Sequence, residues 1–295
     1  MNVILRPVYN RPEMLKLSFD YEFKSRSCVF KSDRPRVIDS YITIFVVEFG
    51  ADPKCIELIN EYPYDKIIIQ RQYRHKPIAN ILEGIKTVLE DFPIASYVIN
   101  LEDDCLVHET FFEFASKASR LVEYSVINSW GVQGNDPYVL NKGSRFAGPG
   151  GIINLDFFRE FILPYVSNEY YDSPDKTISK INALHKGNPF YKYKEGMQHT
   201  DWDGLIHRLV DVAFIEKGLY SYSSDCYRLL HIGFYGYNRT SGKWPESCLT
   251  FEDRLNFLRS NIFDPALLES LDGTYKDYSV FCPEIDLWDG RLFIG

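Results

Sequence analysis

Three adjacent acidic residues near the middle of the chain are the side chains best suited to chemistry. Glu102, Asp103 and Asp104 follow directly on the apolar segment SYVINL. Neighbouring aspartates at the end of a buried strand repel each other, and their burial is costly without a compensating cation. Carboxylate oxygens suit Mg²⁺ or Mn²⁺, which often bridge to phosphate groups. The triplet therefore predicts a divalent-cation site, although aspartates that only cap the next helix are the alternative.

Other polar side chains follow other strand-like segments. The segment PVYNR ends the first of them, Glu48 ends the second, and three cationic residues follow the third: Arg71, Arg74 and His75. In parallel sheets, ligands bind beyond the carboxyl ends of the strands. We therefore expect these residues to lie near the acidic triplet, where cations would suit a diphosphate. A solvated loop is the competing interpretation of the three cationic residues.

The elements that must position these residues alternate between strand and helix over the first two hundred residues. Strands are predicted at 2–7, 41–49, 66–70 and 96–104, and helices at 10–26, from about residue 52, and at 77–92. Asn10 is the predicted N-cap of the first helix. This alternation is typical of a parallel sheet built from βαβ units, so the predicted fold class is α/β, with a mostly parallel central sheet flanked by helices.

The second half of the chain has a less regular pattern. We predict helices at 109–124, 155–166, 200–218 and 251–260, a strand at 126–132, a glycine-rich loop at 143–151 and a polar loop at 168–198. Residues 1–240 are expected to form one domain, with 241–295 as a C-terminal extension packed on it.

The composition excludes several classes of protein. The net charge is −8 with a pI near 5.4, which disfavours a polyanion-binding protein. The six cysteines show no CxxC pair, so we expect reduced thiols and a cytoplasmic protein, in a bacterial cytosol or a virus-infected host cell. We expect no membrane span and no signal segment, and the first predicted strand opens the chain.

Five segments in order resemble the GT-A glycosyltransferases, and within them the metal-dependent group related to N-acetylglucosaminyltransferase I and the family 2 enzymes. The segments are PVYNRPEML, PIASYVINLEDD, the FFEF that follows it, RFAGPGGIINLDFF and TDWDGLIHR. The resemblance covers about residues 2–240 and implies a Rossmann-like GT-A fold. It also implies sugar transfer from a nucleotide-diphosphate donor, a UDP-sugar above all, with Mn²⁺ or Mg²⁺ as cofactor.

The resemblance assigns roles to matched positions. Asp104 would be the direct metal ligand, while Asp103 and Glu102 position the ribose and the donor sugar. The residues expected to bind the nucleotide are Pro7, Tyr9, Asn10, Arg11 and Glu48, with Arg71, Arg74 and His75 near the diphosphate.

Later segments supply further candidates. His231 is either a third metal ligand or an ordinary packed histidine, and Arg239 or Tyr237 would reach the diphosphate. Gly150, in the loop GPGG, would let a sugar approach the backbone, or simply form a turn before the next helix. Tryptophans 130, 202 and 244 either stack on a sugar or pack in the core.

Asp201 matches the catalytic base of the family, with Asp203 as its competitor. Thr200 stands where the family has an acidic residue, and an N-cap is the alternative role for Asp201. A base at this position implies an inverting transfer to the hydroxyl of a glycan, a lipid-linked or a small-molecule acceptor.

Two other functions stay open at the level of the sequence. The first is transfer to hydroxymethylated bases of phage DNA, which a strip of lysines and tyrosines at 186–194 would favour and the net charge opposes. The second is a nucleotide-sugar-binding protein without turnover, which the departure at Thr200 favours.

Overall fold

The structure is a computed structural model that describes most of the chain. The described residues are 1–27, 38–73, 77–129, 134–143, 146, 148–191, 202–232, 244–261, 281 and 283–295, with only the backbone at 77, 78, 202, 203, 283 and 284.

The first four strands form the parallel half of a central sheet. They are β1 (Asn2–Val8), β2 (Tyr41–Val47), β3 (Lys66–Gln70) and β4 (Tyr97–Asn100), joined by α1 (Pro12–Arg26), α2 (Pro53–Asn60) and α3 (Pro77–Asp91). Their order in the sheet is β3-β2-β1-β4, and all three pairings are parallel. The chain therefore moves outward from β1 to β3 and returns to the other side of β1 at β4. This reversal leaves a crevice between the carboxyl ends of β1 and β4, where ligands of open α/β sheets bind.

The rest of the chain extends this sheet and adds a small second one. Its strands are β5 (Cys105–Val107), β6 (Val126–Asn128), β7 (Val139–Lys142), β8 (Ile152–Asn154), β9 (Tyr222–Ser224), β10 (Leu229–His231) and β11 (Phe293–Ile294). Its helices are α4 (Phe111–Leu121), α5 (Leu155–Phe157), α6 (Asn168–Asp172), α7 (Pro174–His185), α8 (Trp202–Lys217) and α9 (Phe251–Asn261). A π-helical turn (Phe158–Ile162) and a 3₁₀ turn (Leu163–Tyr165) continue α5, and a second 3₁₀ turn (Pro283–Leu287) precedes β11.

In the described part of the chain, nine strands form the central sheet, in the order β11-β7-β9-β6-β8-β4-β1-β2-β3. Five of its pairings are parallel, and β8 runs antiparallel to both of its neighbours. Separate apolar clusters cover its faces, one built with α3, α5 and α8 and another with α4. The predicted fold class, an α/β fold with a mostly parallel sheet flanked by helices, is confirmed.

The C-terminal residues contact the same body. Helix α9 packs against α1 through Leu255 and Leu258, which join a cluster with residues of α1, β5 and β10. Strand β11 pairs with β7 at the edge of the central sheet, and the side chain of Trp288 is buried beneath α4.

The structure corrects two expectations about local structure. The polar stretch 168–198 was expected to be a loop, but α6 and α7 occupy 168–185. On α7 the buried apolar side chains are only Ile178 and Ile181, and most of the other residues are polar. The sequence of this segment therefore shows little of the apolar periodicity that predicts a helix. The N-cap prediction at Asn10 is also wrong, because α1 begins at Pro12 with Arg11 at the N-cap position.

The described residues contain neither a membrane-spanning helix nor a disulfide. None of the helices in the described ranges is long and apolar enough to cross a membrane. No disulfide joins cysteines of the described part, where Cys55, Cys105 and Cys248 are buried.

Candidate functional site

The acidic triplet lies on a turn just beyond β4, whereas the sequence predicted it as the last three residues of that strand. Strand β4 ends at Asn100, and residues 101–104 turn the chain into β5. The backbone N–H of Leu101 donates to the carbonyl of Leu5 on β1 over 2.9 Å, which keeps the start of this turn in register with the sheet. Glu102, Asp103 and Asp104 are therefore held at the carboxyl edge, beside the β1–β4 crevice.

Buried polar groups support this turn from below. The guanidinium of Arg6, on β1, donates to the backbone carbonyl of Glu102 over 3.4 Å and pairs with Glu22 on α1 over 2.7 Å. The hydroxyl of Ser18, also on α1, donates to the carbonyl of Cys105 over 2.5 Å. Because Arg6 and Glu22 are fully buried, the turn rests on a rigid, charge-compensated base.

Arg11 reaches across the crevice to both aspartates. Its Nη2 lies 2.5 Å from Oδ1 of Asp103, and its Nη1 lies 2.5 Å from Oδ2 of Asp104. The two carboxylates are almost fully buried, whereas one fifth of the Arg11 side chain is exposed. The loop after β1 thus supplies the counter-cation of the acidic turn.

His231 approaches Asp104 from the small second sheet. Strand β10 runs antiparallel to β5 and places His231 opposite Cys105, and the N–H of Ile232 donates to the carbonyl of Asp104 over 2.9 Å. The Nε2 of His231 lies 3.1 Å from Oδ2 of Asp104. A residue 127 positions later in the chain is therefore fixed beside the acidic turn by strand pairing.

Three side chains of this site have the geometry of a metal-ligand set. Glu102, Asp104 and His231 each offer an atom within 4.8 Å of those of the other two. Ligands on opposite sides of a Mg²⁺ ion lie about 4.2 Å apart, so only a small contraction is needed. The Oδ1 of Asp104 is buried and has no hydrogen-bond partner among the described residues. Two carboxylates and an imidazole fit Mn²⁺ or Mg²⁺, and the carboxylate of Asp104 has a buried oxygen available for the ion.

The carboxylates of the turn differ in their affinity for protons. Burial, with repulsion from Asp104, raises the pKa of Glu102 to about 7. Burial also raises the pKa of Asp103 to about 6, although Arg11 opposes it. Burial acts on Asp104 in the same direction, but attraction to Arg11 and His231 outweighs it and holds the pKa well below its usual range. Arg11 and a protonated His231 together carry less charge than three ionised carboxylates, so a further cation would stabilise the site.

The glycine-rich loop closes one side of the site. The side-chain amide of Asn100 donates to Oε1 of Glu102 and to the carbonyl of Gly148, both over 3.3 Å. Gly150 has a φ of +67°, and its N–H donates to the carbonyl of Asn100 over 2.8 Å. A Cβ at Gly150 would lie 2.3 Å from Cδ1 of Leu229. Glycine is therefore required here for two reasons, the positive φ and the close approach of the backbone to β10.

The other predicted donor residues of the described chain follow the neighbouring strands. Pro7 lies in β1 opposite Val46 of β2, and half-buried Tyr9 and Asn10 follow β1. Glu48 directly follows β2, and its Oε1 accepts from the N–H of Phe49 over 2.9 Å.

Arg71 directly follows β3. Its Nε donates to the side chain of Asn80 over 2.9 Å, and its Nη2 is buried with no hydrogen-bond partner in the described ranges.

Several predicted residues lie outside the described part of the chain. They are Arg74, His75, Asp201 and Arg239, together with Tyr237, Trp130, Lys192 and Lys194. The backbone of Asp203 and Trp202 belongs to the first turn of α8. Trp244 packs against Phe257 of α9, with ring centroids 6.3 Å apart, and so contributes to an apolar cluster.

Sequence reasoning missed Asn100 and Arg6. Asn100 ends the apolar run YVIN and joins the acidic turn to the glycine-rich loop. Arg6 interrupts the otherwise apolar segment NVILRPV. A charged residue inside a strand that is covered on both faces requires a buried partner, and this was the available signal.

Comparisons with known proteins add little to this geometry. The sequence matches no protein-family model, and no curated protein matches it either. Among solved structures, that of S. aureus TarS 1-349 in complex with UDP-GlcNAc aligns with 90% of this chain and 67% of that chain, at 12% identity and a TM-score of 0.49.

Two other TarS structures align over less of the chain. The complex of TarS 1-349 with UDP covers 62% of this chain and 56% of that chain, at 14% identity and a TM-score of 0.39. The structure of S. aureus TarS covers 55% of this chain and 30% of that chain, at 11% identity and a TM-score of 0.38. At these values a function for this chain has to rest on its own side chains.

Proposed function

We propose that this protein is a metal-dependent glycosyltransferase that takes a sugar from a nucleotide-diphosphate donor. The observation that carries the proposal is the convergence of Glu102, Asp104 and His231 within 4.8 Å at the carboxyl edge of the sheet. These residues come from two separate parts of the chain, so their meeting is not a consequence of sequence proximity.

The position of this cluster supports a nucleotide as the ligand. It lies where the order of the parallel strands reverses, between β1 and β4, and this is the usual nucleotide crevice of open α/β sheets. Arg11 adds a planar guanidinium at the same place, a group suited to bidentate contact with phosphate. Carboxylates together with a cationic side chain suit a metal-bound diphosphate.

The ligand set proposed for the ion is Asp104, His231 and Glu102. A bound Mn²⁺ or Mg²⁺ would offset the negative charge that develops on the departing diphosphate. Asn100 orients Glu102 through its amide, and Asp103 holds Arg11 beside the crevice. The residues proposed to bind the donor are Pro7, Tyr9, Asn10, Arg11, Glu48, Arg71, Arg74, His75, Asp103, Gly150 and Arg239.

We assign the base on the resemblance to the family. Asp201, with Asp203 as the alternative, would accept the proton of the acceptor hydroxyl. The acceptor oxygen then bonds to the anomeric carbon while the bond from that carbon to the diphosphate breaks. A single displacement of this kind inverts the anomeric centre.

The test is a panel of UDP-, GDP- and dTDP-sugars assayed for release of nucleoside diphosphate, with Mn²⁺, with Mg²⁺ and with a chelator. We expect turnover of one donor class that requires the metal and is lost in Asp104→Asn. The matched control is Asp156→Asn, because that exposed side chain pairs with Arg159 on the surface, and it should keep full activity. Metal-independent turnover would contradict the proposal, and so would nucleotide binding without any turnover.

The acceptor is then found by stimulation of diphosphate release. Candidates are a glycan, a lipid-linked hydroxyl, a small-molecule hydroxyl and hydroxymethylated DNA. Product analysis by NMR gives the anomeric configuration, and retention of that configuration would exclude the single displacement with Asp201 as the base.

A further inference from the structure

Arg11 pairs with Asp104, one of the three side chains that would hold a metal ion. Its two terminal nitrogens lie 2.5 Å from Oδ1 of Asp103 and from Oδ2 of Asp104. The Nε2 of His231 lies 3.1 Å from the same Oδ2 of Asp104. A divalent ion bound there would lie next to the guanidinium, and the two like charges would repel each other.

We propose that Arg11 is an internal cation that closes the metal site until a nucleotide diphosphate draws its guanidinium away. This inference rests on the proposed function and concerns the order in which that site is filled. The site thereby couples two ligands, because the diphosphate offers Arg11 another anionic partner and frees Asp104 for the ion.

The group that moves in this exchange is the guanidinium of Arg11, and the two aspartates stay in place. The side chains of Asp103 and Asp104 are 4% and 2% exposed, and their turn is fixed by Arg6, Ser18 and the pairing with β10. The Arg11 side chain is 20% exposed. Arg11 occupies the N-cap position of α1, and its side chain makes no capping hydrogen bond there. The guanidinium can therefore turn away from the two aspartates, toward a diphosphate in the crevice, while the carboxylates stay in place.

A second observation shows that Arg11 does not use the whole site. The Oδ1 of Asp104 is buried without a hydrogen-bond partner in the described residues, and so is the Oδ1 of Asn100 next to Glu102. An unused acceptor beside three carboxylates indicates a second cationic ligand. The arginine thus holds the place of an ion without replacing all of its interactions.

The test measures two affinities separately by isothermal titration calorimetry. The first is that of Mn²⁺ alone, and the second is that of UDP at saturating Mn²⁺. In Arg11→Met, Mn²⁺ alone should bind about 5- to 150-fold more tightly than in the wild type, the usual range of coupling between two ligands. UDP should bind about 10-fold or more weakly, because the bidentate phosphate contact is lost. A merely structural role of Arg11 would weaken both affinities.

Two further variants keep the test decisive. Arg11→Lys retains a positive charge and replaces Arg11→Met in the test if that variant does not fold. In Arg11→Lys the affinity for Mn²⁺ should stay within about 5-fold of the wild type, which is less than the change expected for Arg11→Met, while the affinity for UDP falls. Arg159→Met removes a surface arginine that pairs with Asp156, and both affinities should stay at the wild-type values.

Unchanged or weaker binding of Mn²⁺ in Arg11→Met overturns the proposal. If Asp104→Asn abolishes Mn²⁺ binding in the same series, the metal site of the proposed function stands and only the role of Arg11 falls. If neither the wild type nor Arg11→Met binds Mn²⁺, both ideas fail together.

Discussion

Replacing Gly150 by alanine should damage both the stability of the fold and the metal site. The residue has a φ of +67°, which a side chain disfavours by about 1–2 kcal/mol. The new Cβ would also lie 2.3 Å from Cδ1 of Leu229. Overpacking of this kind costs about 1–3 kcal/mol. The free energy of unfolding should therefore fall by about 2–5 kcal/mol in Gly150→Ala.

The backbone of Gly150 cannot easily move to relieve this overlap. Its N–H donates to the carbonyl of Asn100 over 2.8 Å, and its carbonyl accepts from the hydroxyl of Ser129 over 2.9 Å. Relief has to come from Leu229 on β10, the strand that also carries His231. We therefore expect weaker binding of Mn²⁺ in Gly150→Ala, together with the loss of stability.

Gly218→Ala is the matched control. Gly218 has a φ of +68°, and a Cβ there would meet no atom within 4 Å, so this variant isolates the backbone cost of about 1–2 kcal/mol. Chemical denaturation monitored by circular dichroism measures both variants. The double variant Gly150→Ala/Leu229→Ala should lose less stability than the two single variants taken together, because the overlap between the new Cβ and Leu229 disappears. Equal losses in Gly150→Ala and Gly218→Ala would refute the reasoning.

Two further substitutions test the buried supports of the fold by denaturation. Glu22→Gln removes the negative charge that lies 2.7 Å from the fully buried guanidinium of Arg6, and the free energy of unfolding should fall by about 3–5 kcal/mol. Trp288→Ala removes a side chain that is 4% exposed and packs in the apolar cluster with α4. The protein should still unfold in a single transition, with a free energy of unfolding lower by about 3–5 kcal/mol.

Exposed positions give the controls for these two variants. Glu57→Gln loses a pair with Lys54 on the surface of α2 and should leave the free energy of unfolding essentially unchanged, because solvent screens exposed pairs. Leu287→Ala, at a side chain that is 81% exposed, should be neutral. If Trp288→Ala leaves the main transition unchanged, the C-terminal segment is a separate folding unit, against the expectation that it packs on the same domain.

The parallel half of the sheet was predictable because its strands and helices carry their own signals. The apolar run YITIFVV marks a strand covered on both faces, and β3 was predicted with the observed bounds, Lys66–Gln70. The acidic triplet was also placed at the correct edge. Its position followed from one strand, so no long-range contact had to be known.

The contacts that complete the site could not be derived in this way. The ion pair between Arg11 and Asp104 spans 93 positions, and β5 and β10 are each three residues long. Strands this short have no measurable periodicity, so their pairing, and with it the position of His231, depends on tertiary packing. Helices α6 and α7 were missed because their exposed faces are polar and the apolar face of α7 is narrow.

A divalent ion held by Asp104 and His231 would be visible by X-ray diffraction from crystals grown with Mn²⁺ and UDP. An anomalous difference map recorded at the manganese edge should show one peak about 2.0–2.3 Å from a carboxylate oxygen of Asp104 and from Nε2 of His231. It should also show the guanidinium of Arg11 on the diphosphate. Bound UDP with no anomalous peak at Asp104, and Arg11 still paired with both aspartates, would contradict the account.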